Sequence, residues 1–170
     1  MQHQIWGNWL CEDRINAIRK EIVANSRRYI NNTKHLLEGA TPDIGKIVFE
    51  QGATLNTNEQ NTVDWLLKNI GGNINVLSTS KVQGIKTPDL FWRGEYVDIK
   101  HVSGTLSTLD THIRKGIKQT NKGGIVVDIT GAKFSNQKAI STLTNRLVRN
   151  GGEYALVIRD SVLVAYIYLL

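Results

Sequence analysis

The chain has 170 residues, 21 Lys and Arg against 15 Asp and Glu, and a formal net charge of +6. Its length fits one domain with a proper core, with room for a small helical appendage, and its composition is that of an ordinary globular protein. The single Cys11 excludes an intramolecular disulfide framework and a Cys-based zinc site, the four histidines (His3, His35, His101, His112) lack ligand spacing, and no apolar run is long enough to span a membrane.

The opening MQHQIWGNWLCEDR has no basic region followed by a continuous apolar segment, so no signal peptide is expected. That fits a cytoplasmic protein or a module cut from a longer secreted chain. Residues 9–38 read as a basic amphipathic helix, with Trp9, Ile15, Ile18, Ile22, Tyr29 and Ile30 among Arg14, Arg19, Lys20, Arg27 and Arg28, and Gly39 and Pro42 close it. Residues 41–55 fit a short helix or an irregular connection. Residues 1–56 are therefore read as an N-terminal helical extension and 57–170 as the main domain.

Thr57-Asn58-Glu59-Gln60 has the form of a capping box and opens a helix through Ile70, closed by Gly71-Gly72. Its apolar stripe is Val63, Leu66, Leu67 and Ile70, and Glu59 points along it. An ionised Glu aimed at a core is costly unless paired or bound to a cation, which makes Glu59 a third acidic ligand or else a charge complementing the helix N-terminus. A strand is expected over residues 75–80, with Lys81 and Lys86 in the loop that follows.

The stretch TPDLFWRGEYVDIKH, residues 87–101, reads as a β-hairpin turning at Arg93-Gly94. If Trp92 faces Glu95, then Phe91 faces Tyr96, Leu90 faces Val97, and Asp89 stands opposite Asp98. Side chains alternate along a strand, so Tyr96, Asp98 and Lys100 share one face, and Val97 and Ile99 the other. Like charges opposite one another are destabilising, so something positive must sit between the aspartates.

Beyond the hairpin, residues 107–122 suggest a helix with Leu109, Ile113 and Ile117 inward. His112, Lys115 and Gln119 line one flank at i, i+3 and i+7, with Arg114 and Lys118 outside. GIVVDIT, residues 124–130, is expected as a central buried strand, with Asp128 structural. Ser135 caps a helix through Asn150 with Arg146 and Arg149 outward, and residues 154–158 and 162–168 complete the sheet without site chemistry.

Two carboxylates on adjacent strands with a lysine beside them suit Mg²⁺ held through carboxylates, phosphate oxygens and water, the equipment of metal-assisted phosphodiester hydrolysis. The basic charge agrees, since Lys and Arg drive sequence-independent nucleic-acid affinity. A non-catalytic nucleic-acid-binding module with an inert hairpin remains the alternative.

Pro88-Asp89 followed by Asp98-Ile99-Lys100 resembles the signature of PD-(D/E)XK nucleases, and residues 57–130 resemble their αβββαβ core. The resemblance implies an α/β fold with a mixed central β-sheet flanked by helices. Within that superfamily the small basic chain looks like the C-terminal nuclease toxin domains of CdiA contact-dependent growth inhibition proteins. It implies a secreted or surface-delivered module that acts in the target-cell cytoplasm on tRNA or DNA, and a cognate immunity protein. A restriction or repair endonuclease would share the same site. Carried across, Asp89, Asp98 and Glu59 would hold a divalent metal, Mg²⁺ foremost with Mn²⁺ or Zn²⁺ as alternatives. Lys100 would orient the attacking water or offset charge on phosphate, and Gln119 would support the site. His112, Lys115, Lys118 and Lys86 would meet nucleic acid.

Overall fold

A computed structural model describes residues 41–79 and 87–168. In chain order it holds β1 (Ile47–Phe49), α1 (Thr57–Asn69), β2 (Ile74–Val76), β3 (Leu90–Trp92), β4 (Glu95–His101), α2 (Leu106–Gln119), β5 (Gly124–Asp128), α3 (Asn136–Asn150), β6 (Tyr154–Arg159) and β7 (Val162–Tyr168). The strands form one mixed sheet whose spatial order follows the chain from β1 to β7. β1 and β2 are parallel, β2, β3 and β4 form an antiparallel meander, β4, β5 and β6 are parallel, and β7 returns antiparallel to β6. The expected mixed sheet flanked by helices is therefore present. The predicted helix over residues 9–38 and Lys81 and Lys86 lie outside the described residues.

Period-two alternation sorts the sheet into two apolar layers. Ile125 and Val127 of β5, with Ala155 and Val157 of β6, pack against Leu109, Ile113 and Ile117 of α2 and Leu143 and Leu147 of α3. On the other face Val97, Ile99, Val126 and Leu156 pack with Val63 and Leu66 of α1. The hairpin has the predicted register, Leu90 with Val97, Phe91 with Tyr96 and Trp92 with Glu95. Arg93 and Gly94 both take positive φ, 53° and 81°, the turn whose twist matches the strands it joins.

Several boundaries differ from expectation for local reasons. The capping box lies one residue earlier: Asn56 accepts from the Glu59 amide at 2.9 Å, and the Glu59 carboxylate accepts from the Asn56 amide at 3.0 Å. Asn56-x-x-Glu59 and Thr57-x-x-Gln60 overlap, and the better acceptor at each end wins. Residues 47–49, with no helical or strand periodicity of their own, form edge strand β1 through pairing with β2. β2 is shorter than the expected strand over 75–80 and starts at Ile74. Helix α2 stops at Gln119 rather than at 122, because Asn121 and Lys122 take positive φ and Thr120 bonds back to the Gly116 carbonyl. Arg146, expected outward, lies across α2 with Nε and Nη2 on the two carboxylate oxygens of Asp110.

Candidate active site

The meander brings Asp89 and Asp98 side by side. Asp89 immediately precedes β3, its amide bonds to the Val97 carbonyl, and its Oδ2 accepts from the Ile99 amide at 2.8 Å. Asp98 lies mid-strand in β4, where parity sends its side chain to the α2 side of the sheet. There it is 0% exposed. Each carboxyl group is near enough to shift the protonation of the other.

A glycine in α2 makes room for this carboxylate. Gly116 falls on the buried stripe of the helix, where a Cβ would stand 2.6 Å from Asp98 Oδ2 and 2.9 Å from Ile125 Cδ1. Glycine costs about 1 kcal/mol against alanine inside a helix, so this notch is held against local propensity. Sequence reasoning passed over Gly116. The usable signal was a glycine among the inward positions Leu109, Ile113 and Ile117.

Lys100 supplies the positive charge, its Nζ 3.0 Å from Asp98 Oδ2. Gln119, at the end of α2, accepts from Lys100 Nζ through Oε1 and donates to the Thr87 carbonyl through Nε2, both at 3.4 Å. It thereby links the lysine to the segment entering β3. Neither Asp98 oxygen has a hydrogen-bond partner of good geometry, so the ammonium contact is nearly all that meets this buried charge.

One cation against two carboxylates leaves the pair short of positive charge. Burial and then the Asp98 charge raise the Asp89 pKa to about 7, against the amide of Ile99 and Lys100, which lower it. Burial also raises Asp98, opposed chiefly by Lys100. Glu59 adds negative charge to this field from α1, but its carboxylate is engaged by the Asn56 amide. Among the described residues no three His, Cys, Asp or Glu side chains cluster as a metal site, so the structure unites Asp89 and Asp98 without Glu59.

The flank of α2 is only partly drawn in. His112 is half-buried, and burial, followed by the nearby Lys100 and Lys115 charges, lowers its pKa. Lys115 and Lys118 are exposed. Asp128 serves its own turn, accepting from the Thr130 amide and hydroxyl, as its structural reading anticipated.

The donor set can be tested against a divalent cation on its chemistry. Two oxygen acids with raised pKa values, one bearing an unpartnered buried Oδ1, fit a hard cation of the Mg²⁺ kind, which needs one or two carboxylates beside phosphate and water.

No protein-family model matches the chain, and no curated protein matches it. Among solved structures, the fold is similar to a chain of the CdiA-CT/CdiI toxin and immunity complex from Burkholderia pseudomallei, with a TM-score of 0.51 and 18% identity, covering 73% of this chain and 100% of that chain. The likeness is one of fold.

Proposed function

We propose that this protein is a divalent-metal-dependent nuclease of the PD-(D/E)XK kind that serves as an interbacterial toxin domain. The observation that carries the reading is the fully buried Asp98 beside Asp89, two acids with one lysine on Asp98 Oδ2 and an unpartnered Asp98 Oδ1. Burying that charge costs stability, and a cation offsets the cost only when it binds. The succession α1, β2, β3, β4, α2, β5 supports the same reading, since it repeats the helix, three strands, helix and strand expected of that core. The fold likeness to a chain of a toxin and immunity complex supports the toxin role.

Asp89 and Asp98 would hold the cation. When bound, it would supply Lewis-acid stabilisation of the charge that develops on a phosphodiester under attack by water. Lys100 has three N–H donors, of which Asp98 and Gln119 engage two. The third is left for the attacking water or a phosphate oxygen. Gln119 holds the ammonium in place, and His112, Lys115 and Lys118 form the approach by which the sugar-phosphate chain enters. Glu59, retained by its cap, acts on the pair through its charge. The substrate favoured is tRNA, and the partner in the producing cell is an immunity protein that covers the site.

Incubation of the protein with tRNA, total RNA and plasmid, with Mg²⁺ or EDTA, tests this on one gel. Cleavage of tRNA in Mg²⁺, absent in EDTA and in Asp98→Asn, is expected. Plasmid cleavage alone would make it a DNA endonuclease, and retention of every substrate uncut with shifted mobility would make it a binding module. Toxicity on expression, relieved by a neighbouring open reading frame, separates a toxin from a restriction or repair enzyme.

A further inference from the structure

Opposite the aspartate site, on the α1 face of the sheet, lies a cavity of about 240 Å³ walled by Trp92, Glu95, Tyr154, Tyr166 and Tyr168, with Glu153 and Arg93 also lining it. Strand parity builds it. Glu95 shares its face of β4 with Val97 and Ile99, and Tyr154 and Tyr166 belong to the same α1-side layer. Between β4 and β6, Val97, Gly124 and Tyr154 are aligned in register. Gly124 leaves the floor open: a Cβ there would stand 2.2 Å from the Tyr154 ring, so only glycine lets that ring lie across β5. The three tyrosines form a row, Tyr154 with Tyr166 at 5.7 Å and Tyr166 stacked on Tyr168 at 6.2 Å.

The electrostatics of this aromatic hollow run against the basic chain. Glu95 Oε2 is buried and accepts no hydrogen bond. Burial and then the Glu153 charge raise the Glu95 pKa. Two carboxylates, Glu95 and Glu153, line the hollow against one guanidinium, Arg93. Burial raises the Tyr154 and Tyr166 hydroxyls above their usual range, with the Glu95 charge adding to the rise and the Arg93 charge opposing it. Aromatic faces attract cations, and the wall already does so within this chain, where the Arg93 guanidinium sits 5.4 Å from the Trp92 ring centre.

We propose that this cavity is a receptor for one organic cation, a guanidinium or alkylammonium group, held by ring faces and by the unpartnered oxygen of Glu95. Its volume lies below the roughly 300 Å³ at which pockets for whole small molecules begin, so it takes a charged head and a short stem. That chemistry belongs to an arginine or lysine side chain of a partner protein or to a free polyamine. The site is independent of Asp98, which points to the other face of the sheet.

The test uses the full chain with ¹³C-labelled tyrosine rings, titrated with arginine methyl ester, with spermidine and with acetate as the anionic control. Saturable shifts of the Tyr154, Tyr166 and Tyr168 signals with a cation, and none with acetate, are expected. Glu95→Gln and Tyr168→Leu should each weaken binding by roughly tenfold. Glu95→Gln removes a buried charge and should fold at least as well as the parent, with any nuclease activity unchanged. Response to arginine methyl ester alone assigns a side chain of a partner, and response to spermidine as well assigns a general amine site. Absence of saturation with both cations, or equal affinity in Glu95→Gln, would overturn the proposal.

Discussion

Two carboxylates lie at opposite halves of helix α2, and their surroundings invert one another. Near its start, Asp110 receives two guanidinium N–H groups of Arg146 across from α3, and that hydrogen bonding holds its pKa below the usual range. Near its end, Asp98 is deeper, has no well-formed hydrogen bond, and shares one ammonium with Asp89, so burial pushes both acids up. The first arrangement holds two helices together. The second leaves negative charge under-compensated in the core, a condition natural proteins keep where function needs it.

Removing the shared cation should give the largest effect. Lys100→Met should lower cleavage by at least about a hundredfold, the scale of a lost electrostatic or proton-transferring group at a transition state. It should also destabilise by about 2 kcal/mol, less than the 3–5 kcal/mol of a broken buried pair, because Asp89 takes up a proton near neutral pH. Single-turnover cleavage and urea melts check both.

Filling the notch comes next. Gly116→Ala gains about 1 kcal/mol of helix propensity. Overpacking against Asp98 and Ile125 costs roughly 1–3 kcal/mol, so the melting temperature should fall and cleavage with it. Adding Ile125→Val relieves the contact with Cδ1 alone. It should recover stability and leave cleavage low, since Asp98 stays displaced.

The satisfied pair should respond more weakly. Arg146→Ala should cost about 1 kcal/mol, limited by solvent screening of a partly exposed pair. Because the Asp110 pKa is lowered, its stabilisation is present above the unfolded value of 3.8 and is lost as pH falls through the folded one. Acid melts of parent and variant should therefore converge. Asp89 has the opposite sign: raised from 3.8 to about 7, it contributes stability that is full below the lower value and gone above the higher. Asp89→Asn should accordingly help the cation-free protein more at pH 8 than at pH 5.

The hairpin, its register and the Asp89, Asp98 and Lys100 constellation were legible because a two-residue turn fixes pairing and parity does the rest. Helices α1, α2 and α3 were legible from their stripes and caps. What escaped depends on distant pairing. β1 is three residues long and takes its conformation from β2. The contact between Gly116 and Asp98 joins residues 18 positions apart, and Asp110 meets Arg146 across 36. The tyrosine cavity needs the parallel register of β4, β5 and β6, so β6 and β7 read as plain sheet completion although their rings line a hollow. The cap was read at Thr57 and Gln60, whereas the overlapping pattern one residue earlier sets the Glu59 carboxylate on the Asn56 amide.

The claim at the centre is that the paired acids are kept short of positive charge so that a divalent cation can supply it. Thermal melts of the parent and Asp98→Asn at pH 7.5 across a Mg²⁺ titration test it most directly. The parent should start lower, rise with Mg²⁺ and saturate, whereas Asp98→Asn should start higher and stay flat. A parent that ignores Mg²⁺, or a variant that melts lower and responds equally, would contradict the account.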